Sequence, residues 1–345
     1  MAPQLGATCC NLIKKVCFFN RHVYICRRYD QQILLLQRFL LLHYGAGRVV
    51  IEEITNELLS PEHTFRTFFF DMQHKIAIQG IQGSYHHEVA TQLFGADIAL
   101  AECLSFDALV DQVVTGAVDA AVMALENSIA GSIIPNYALI DHHDLHIVNE
   151  AYIRIEHQLM ALPGTQLADI KEVASHPMAL LQCKDFFATQ PHIKLIEDAD
   201  TAEVAQRISE QKMVGLGAIA SKTAAKLYGL DIVAPNIHSI ANNATRFVVI
   251  QKDPPAENRQ NNKASLKFML DHKRGSLATV LNVLSDCKLN LTKIQSMPVV
   301  DTPWKYSFFV DITFEEYAHY EKALQVMAIM TESFKVLGTY TNQRN

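Results

Sequence analysis

From Lys75 onward the chain alternates short apolar segments with amphipathic segments, and this alternation constrains its fold more than any other feature. Short apolar runs bounded by turn residues are typical of strands, and the amphipathic runs between them are typical of helices. Such an alternation favours an α/β fold, in which helices cover a sheet. The predicted strands are Lys75–Ile78, Ala120–Leu125, Glu172–Ser175, Val214–Ile219 and Phe247–Gln251. The predicted helices are Tyr85–Phe94, Ser105–Thr115, Met178–Phe187, Thr201–Glu210 and Ser221–Tyr228.

A second, smaller unit follows a linker. Residues 252–263 contain two prolines followed by polar residues, a composition typical of linkers. The elements predicted beyond it are a strand at Ser265–Leu270, a helix at Ser276–Cys287, strands at Asn290–Met297 and Tyr306–Thr313, a helix at Glu315–Met330 and a strand at Phe334–Tyr340. This βαββαβ order is ferredoxin-like. Such a unit normally leaves a sheet edge or face exposed, which favours pairing with another copy; an independent solvated domain is the alternative.

Residues 1–71 differ in composition from the rest of the chain. They carry a net charge of +2, whereas the remaining residues carry −8. The apolar stretch Ile33–Leu42 is too short and too polar in its middle to span a bilayer, and no signal-peptide cleavage site follows it. Thr64–Phe70 shows neither strand alternation nor a helical stripe. We therefore expect residues 1–71 to be upstream sequence read from a misplaced start codon, with Met72 as the true start; a genuine but unusual extension is the alternative.

Composition excludes several classes of protein. The 345 residues allow two or three domains, and 49% hydrophobic with 19% charged residues argues against bulk disorder. A net charge of −6 argues against nucleic acid or an anionic membrane as the main partner, so an anionic substrate would need local hydrogen-bond donors. Of the seven cysteines, Cys103, Cys183 and Cys287 lie far apart and outside any metal-ligand spacing. They are typical of reduced thiols in a cytoplasmic protein without a structural metal.

Polar motifs recur at the strand-to-helix junctions, where open α/β sheets bind ligands. These motifs are Gly80–Tyr85, Glu126–Gly131, Ser175–Pro177 and Asp200–Thr201. The glycines of the first motif allow a tight turn, and the helix after it offers backbone N–H groups to an anion. A plain turn or a helix cap explains each motif equally well when it is taken alone.

A fifth polar motif, Asn242–Phe247, precedes the last strand before the linker. Arg246 could hold a carboxylate in a fork, and Thr245 could donate one hydrogen bond. The alternative is that Thr245 and Arg246 are ordinary surface residues at the edge of a strand. Together the five motifs predict a cleft that binds a small polar anion, and they leave open whether the cleft is catalytic.

In this order and spacing, the motifs resemble those of prephenate dehydratase, and the part after the linker resembles the ACT regulatory domain that usually follows it. The resemblance covers essentially everything after Met72. The motifs that carry it are Gly80–Glu88 (GIQGSYHHE), Glu126–Gly131 (ENSIAG), Ser175–Cys183 (SHPMALLQC), Thr201–Ala205 (TAEVA), Ala218–Leu230 (AIASKTAAKLYGL) and Asn243–Phe247 (NATRF).

The resemblance implies a catalytic domain over residues 72–252 that is similar to two-lobed type II periplasmic binding proteins, a linker at 253–263 and an ACT domain at 264–341. It implies conversion of prephenate to phenylpyruvate, water and carbon dioxide in phenylalanine biosynthesis, without cofactor or metal. Thr245 is implied as the catalytic residue that donates to the leaving hydroxyl. The substrate-binding residues it implies are Ser84, Tyr85, Glu126, Asn127, Ser128, Ser175, His176, Thr201, Asn243, Arg246 and Phe247.

The ACT part departs from the pattern of family members that phenylalanine inhibits. Those members carry Gly-Ala-Leu and Glu-Ser-Arg-Pro, whereas this chain has Gly275-Ser276-Leu277 and Gln295-Ser296-Met297-Pro298. The resemblance implies L-phenylalanine as an effector. The absence of the Glu and Arg argues against strong inhibition by it. The effector-binding residues implied are Gly275, Ser276, Leu277, Asn290, Gln295 and Ser296.

Two other functions stay open at this point. One is dehydration of arogenate, which differs from prephenate by an amino group that the sequence does not weigh. The other is a two-lobed sensor that binds an amino acid or keto acid without catalysis. A chorismate mutase fusion is rejected, because residues 1–71 contain prolines, glycines and no long amphipathic helix. The resemblance implies a homodimer or homotetramer assembled through the ACT domain.

Overall fold

The computed structural model describes residues 74–299, 302 and 304–344 with their side chains, and only the strands of the segment before them. That segment forms a unit of its own, residues 1–74, with a five-stranded sheet. Its strands pair in chain order and antiparallel. They are β1 (Lys14–Phe19), β2 (His22–Tyr29), β3 (Ile33–Gly45), β4 (Arg48–Glu53) and β5 (Arg66–Asp71).

Strand β5 lies in a segment for which the sequence pattern predicted no element. The segment Thr64–Phe70 shows no strand alternation, yet residues 66–71 pair with β4 from Arg48↔Asp71 to Glu53↔Arg66. Strand pairing is made by backbone N–H and C=O groups, so it does not require an alternating side-chain pattern. The interpretation of residues 1–71 as upstream sequence stays a prediction.

The first lobe is a mixed sheet covered by helices. Its elements are β6 (Lys75–Gln79), α1 (Tyr85–Phe94), β7 (Ala99–Cys103), α2 (Phe106–Val114), β8 (Ala120–Asn127), β9 (Gly131–Ser132), α3 (Ile134–His142), β10 (His146–Arg154) and the returning strand β16 (Ala244–Gln251). The order is β10-β16-β8-β6-β7, with β9 paired to β8. Strands β6, β7 and β8 run parallel, whereas β16 is antiparallel to both of its neighbours. Buried apolar residues pack on both faces, which explains the continuously apolar pattern of β8.

The second lobe repeats this arrangement with a separate sheet. Its elements are β11 (Gln158–Ala161), a 3-10 turn (Leu167–Asp169), β12 (Glu172–Ser175), α4 (Pro177–Gln182), α5 (Lys184–Ala188), β13 (Lys194–Glu197), α6 (Thr201–Gln211), β14 (Leu216–Ala220), α7 (Lys222–Tyr228) and β15 (Asp231–Ala234). The order is β13-β12-β14-β11-β15. Two chain segments connect the lobes, residues 154–158 and 234–244. They lie side by side, since the Ile155 N–H donates to the Asn243 carbonyl at 2.8 Å.

The C-terminal domain has the predicted ferredoxin-like order. Its elements are β17 (Lys263–Met269), α8 (Ser276–Asp286), β18 (Asn290–Pro298), β19 (Tyr306–Thr313), α9 (Tyr317–Met330) and β20 (Ser333–Tyr340). The sheet order is β18-β19-β17-β20, and all its pairs are antiparallel. One face packs on α8 and α9.

The other face of that C-terminal sheet packs on the first lobe. Phe309, Leu337 and Tyr340 join the buried cluster that contains Tyr137 and Ile147. Gly338 permits this approach, because a Cβ at that position would lie 2.0 Å from the Ile147 carbonyl oxygen. The first lobe of the same chain therefore covers the sheet face that we expected to pair with another copy. The edge strand β18 is still available for such pairing.

The predicted fold class, two α/β lobes followed by a ferredoxin-like domain, is confirmed. One predicted helix is divided: Met178–Phe187 becomes α4 and α5, because Cys183 leaves the helical region with φ −108° and ψ 11°. The sequence did not predict β7, β9, α3, β10, β11, β13 or β15.

Candidate active site

A cleft of about 430 Å³ lies between the two lobes. The ends of α1, β8 and β16 form its wall on the first lobe, and β12, α4 and α6 with the segment after β10 form the other wall. All five predicted polar motifs therefore meet at one place, as the carboxyl ends of strands do in open sheets. The polar side chains on the walls are Gln79, Ser84, Tyr85, His86, Asn127, His157, His176, Gln182, Asp200, Thr201 and Thr245.

A chain of side-chain hydrogen bonds crosses the cleft. Asn127 Nδ2 donates to Thr245 Oγ1 at 2.9 Å and to Asn243 Oδ1 at 2.7 Å. The Asn243 amide donates in turn to Gln182 Oε1 at 2.8 Å, which also lies 2.8 Å from His157 Nε2. Because this series of hydrogen bonds begins in the first lobe and ends in the second, it fixes the two walls of the cleft relative to each other.

Asn127 is held rigidly at the end of β8. Its Oδ1 accepts from the backbone N–H groups of Ile129 and Ala130 at 3.0 and 2.9 Å, so its Nδ2 must point toward β16. Thr245 Oγ1 therefore acts as an acceptor from the amide. Among the described residues no acceptor takes the Thr245 hydroxyl hydrogen, which is left for a ligand in the cleft. The Thr245 side chain is otherwise buried, at 7% exposure.

The walls contain neutral imidazoles. Burial lowers the pKa of His157 to about 4 and that of His86 to about 3, so both rings are uncharged at neutral pH. With His157 Nε2 donating to Gln182, its Nδ1 is the acceptor, and the Tyr85 hydroxyl lies 3.2 Å away. Burial also raises the pKa of Tyr85 well above its ordinary value. Tyr85 therefore stays a neutral donor that joins α1 to the segment between the lobes.

The glycine turn before α1 is pressed against the second lobe. Gly83 has φ +91°, and a Cβ there would lie 3.1 Å from the Ala224 Cα. The Ser221 hydroxyl donates to the Gly83 carbonyl at 2.8 Å, and the Tyr228 hydroxyl donates to the Gln82 carbonyl at 2.6 Å. Glycine at position 83 therefore allows a direct hydrogen-bonded contact between the lobes above the cleft.

Three helix N-termini border the cleft. Ser84 caps α1 and Asp200 caps α6, and both side chains line the walls. His176 caps the short helix α4 through Nδ1, which accepts from the Met178 N–H at 3.2 Å. No lysine or arginine is among the residues that line the described cleft. An anion there would be held by backbone and hydroxyl donors, as the net negative charge of the chain led us to expect.

Comparison with known proteins identifies the family. Residues 76–255 match the family model described as prephenate dehydratase. The chain belongs to the prephenate dehydratase family. Its relatives include the Arabidopsis thaliana protein named arogenate dehydratase/prephenate dehydratase 1, chloroplastic, which is 40% identical over 66% of this chain and 58% of the relative. The Escherichia coli K12 bifunctional chorismate mutase/prephenate dehydratase is 32% identical over 78% of this chain and 71% of the relative.

Solved structures show the same fold. The Arthrobacter aurescens prephenate dehydratase in complex with L-Phe has a TM-score of 0.71 at 25% identity, covering 78% of this chain and 90% of that one. A structure titled GqqA, a novel type of quorum quenching acylases, has a TM-score of 0.70 at 28% identity, covering 78% of this chain and 98% of that one. The prephenate dehydratase fold thus spans both lobes and the C-terminal domain. The family has members named for prephenate and for arogenate.

Most of the predicted site residues of this prephenate dehydratase homologue lie at the cleft. Those that line it are Ser84, Tyr85, Asn127, His176, Thr201, Thr245 and Phe247. Asn243 lies behind the wall, buried, and takes part in the chain of hydrogen bonds. The functional roles of these residues stay predictions.

Two predicted substrate-binding residues face the other way. Arg246 donates from Nε to Glu150 Oε2 at 2.8 Å, from Nη1 to Asp311 Oδ2 at 2.5 Å and from Nη2 to Tyr340 Oη at 2.7 Å. Glu126, its partner across the strand pair, forms an ion pair with Lys293 Nζ at 2.8 Å. Successive side chains of a strand point to opposite faces, so a cleft that receives Thr245 does not receive Arg246. Neither side chain lines the cleft, so the prediction that Arg246 and Glu126 bind substrate gains no support from this geometry.

Two predicted serines hold the backbone of the lobes. The Ser175 hydroxyl is completely buried and donates to the Ile219 carbonyl at 2.7 Å within the second sheet. The Ser128 hydroxyl donates to the Asn242 carbonyl and accepts from the Ala244 N–H, both at 3.0 Å, which fixes the start of β16. Neither serine lines the cleft. Their prediction as substrate contacts gains no support from this geometry and stays a prediction.

Five polar residues of the cleft walls were missing from the predicted set: Gln79, His86, His157, Gln182 and Asp200. Gln182 lies inside the SHPMALLQC motif, two turns of helix from His176, and could have been found by asking which α4 side chain returns to the cleft. His157 follows β10, a strand that the sequence did not predict, so no pattern marked it. Asp200 was interpreted as a helix cap only.

The predicted effector residues divide into two groups. Ser276 and Leu277 line a small pocket of about 110 Å³ beside Trp304 and Phe308. Asn290, Gln295 and Ser296 lie on the edge strand β18 and do not line that pocket, and Gly275 is the N-cap of α8. Effector binding by these residues stays a prediction.

The described part of the chain holds no group of three or more His, Cys, Asp or Glu side chains arranged to bind a metal ion. Within the same residues, every helix is too short or too polar to cross a membrane.

Proposed function

We propose that the chain catalyses the decarboxylating dehydration of prephenate to phenylpyruvate, and the same ring elimination on arogenate, in phenylalanine biosynthesis. The observation that carries this proposal is the Thr245 hydroxyl, which Asn127 holds on the cleft wall with its hydrogen unused. A donor fixed in this way can stabilise charge as it develops on a leaving group. The family match supports the reaction class.

The reaction needs only a leaving carboxylate and a leaving hydroxyl. As the bond from the ring carbon to its carboxylate breaks, the electron pair moves into the ring and expels hydroxide from the opposite carbon. Carbon dioxide leaves, and the departing oxygen takes a proton to become water. Thr245 stabilises the charge on that oxygen. A threonine hydroxyl is too weak an acid to act through its pKa alone.

The apolar part of the cleft favours loss of the ring carboxylate. Phe106, Ile133 and Phe247 line it beside the neutral His86 ring. A carboxylate bound against such a surface loses hydration, whereas carbon dioxide does not need it. The second carboxylate would bind at the α1 N-terminus, where the Ser84 hydroxyl can donate.

The test is turnover of prephenate, followed by the ultraviolet absorbance of phenylpyruvate, with arogenate assayed in parallel. We expect Thr245→Ala to lower kcat by about two orders of magnitude or more while the fold survives, the loss typical of a single transition-state donor. Thr189→Ala, which removes an exposed hydroxyl from the second lobe, is the matched control. A larger loss in His176→Ala than in Thr245→Ala would assign the proton donor to His176. Binding of either substrate without turnover would favour a sensor.

Assembly, location and domain limits belong to the same proposal. We expect a homodimer or homotetramer in which the edge strand β18 and its neighbours meet another copy, and sedimentation as a monomer at micromolar concentration would contradict it. A cytoplasmic location is supported by three cysteines that are free thiols, Cys103, Cys183 and Cys287. The limits 72–252, 253–263 and 264–341 are supported by strand β16, which ends at Gln251, although β17 already begins at Lys263, the last residue of the proposed linker.

A further inference from the structure

Asp200 presents an unpaired carboxylate oxygen to the cleft. Its Oδ1 caps α6, where it accepts from the N–H groups of Ala202 at 2.8 Å and Glu203 at 3.0 Å. Its Oδ2 accepts no hydrogen bond from any described residue, although the side chain lines the cleft. Oδ1 thus caps the helix, and Oδ2 can accept a hydrogen bond from a ligand.

The first lobe leaves space for that second oxygen. A Cβ on Gly80 would lie 2.6 Å from Asp200 Oδ2, closer than a side-chain carbon can approach. Gly80 also has φ +83°, which disfavours other residues there. Asp200 Oδ2 therefore lies against the bare backbone of Gly80, and a side chain at position 80 would displace it.

The charge of Asp200 has no counterpart in the cleft. It is the one carboxylate among the described lining residues, and neither lysine nor arginine accompanies it. Burial raises the pKa of Asp200, since a partly desolvated carboxylate without a cation is unfavourable. Among its charged neighbours, His176 lowers the pKa of Asp200 and the like charge of Asp198 raises it. A carboxylate in a cleft for anions would repel the substrate unless it meets a cationic group.

We infer that Asp200 is a specificity-determining residue whose free oxygen pairs with an ammonium group on the substrate side chain. The inference rests on the proposed function. Arogenate carries an ammonium group where prephenate carries a keto oxygen, and the reacting ring is the same. The carboxylate attracts the first and repels the second, so the cleft takes the amino form with the higher kcat/KM.

The experiment compares kcat/KM for arogenate and prephenate in the full chain and its variants. Asp200→Asn and Asp200→Ser both keep an oxygen that caps α6 and remove the charge. We expect each to lower kcat/KM for arogenate about tenfold to a hundredfold, the range of one charge-assisted hydrogen bond, mainly through KM. For prephenate we expect no loss. Glu203→Gln removes a charge from the same helical turn outside the cleft and should leave both values unchanged.

The outcomes separate this inference from the function on which it rests. An active wild type with an unchanged arogenate-to-prephenate ratio in both Asp200 variants would overturn the role of Asp200 and leave the proposed function intact. Equal losses for both substrates would reduce Asp200 to a structural cap. A wild type that turns over neither substrate would refute the proposed function and the inference with it.

Discussion

Replacing Arg246 with methionine should destabilise the protein without weakening substrate binding. The side chain is 3% exposed and connects the strand of Thr245 to Asp311 and Tyr340 in the C-terminal domain. Glu150, its other acidic partner, keeps the Lys263 ammonium at 2.8 Å. Methionine therefore leaves Asp311 as the uncompensated buried charge.

The expected loss follows from this burial. Removing one partner of a buried ion pair costs about 3–5 kcal/mol, a large share of the roughly 5–15 kcal/mol that holds a typical domain together. Urea unfolding at neutral pH measures it as a lower midpoint at a constant slope. In Arg246→Met/Asp311→Asn both charges are absent, so we expect a coupling energy of at least about 1 kcal/mol.

Arg207→Met is the matched control, because Arg207 also pairs with an aspartate, Asp198, but is 32% exposed. Its loss should stay below about 1 kcal/mol. KM for the substrate should change less than about twofold in Arg246→Met, since the guanidinium lies behind the cleft wall. A tenfold higher KM with an unchanged unfolding free energy would refute this reasoning and return Arg246 to the substrate.

Two further predictions concern pH and the effector. The pKa of buried His86 and His157 is lowered to about 3 and about 4, so the unfolded chain, with histidine pKa near 6.5, binds two more protons below about pH 6. The unfolding free energy should then fall by up to about 2.7 kcal/mol per pH unit on acidification, as measured by urea unfolding from pH 7 to pH 5. In His157→Gln this dependence on pH should be weaker, whereas the control His192→Asn, at an exposed position, should leave it unchanged. The same dependence in His157→Gln as in the unsubstituted protein would contradict the prediction. Activity should resist micromolar L-phenylalanine, because Gln295 and Met297 replace the charged Glu and Arg of inhibited relatives; a titration that shows inhibition there would contradict this.

The local sequence pattern was sufficient to predict the helices and strands whose buried residues recur at regular intervals. The helices at Tyr85–Phe94 and Thr201–Gln211 and the strand Tyr306–Thr313 lie within one residue of their predicted bounds. Each of the two helices begins after a side chain that caps it, Ser84 and Asp200. Capping and amphipathic spacing act over a few residues, so they can be read without knowledge of the fold.

Elements whose stability depends on distant partners escaped prediction. Strand β10 (His146–Arg154) is stabilised by β16, about 100 residues away in the chain, and its own pattern is irregular at a bulge between Ile147 and Asn149. Helix α3 (Ile134–His142) has almost no amphipathic face, because it lies between the first lobe and the C-terminal sheet and is buried on more than one side. Tertiary packing overrides local preference in both cases.

The same division applies to the site. The sequence determined that Thr245 and Phe247 share one face of a strand and that Arg246 lies on the other, because strand side chains alternate. It also placed Asn127 and Asp200 at the ends of elements that meet in an α/β fold. Only the tertiary structure decided which face of β16 meets the cleft, since that depends on where the second lobe and the C-terminal domain pack. The second lobe completes the cleft beside Thr245, and the C-terminal domain places the buried Asp311 carboxylate and the Tyr340 hydroxyl on Arg246.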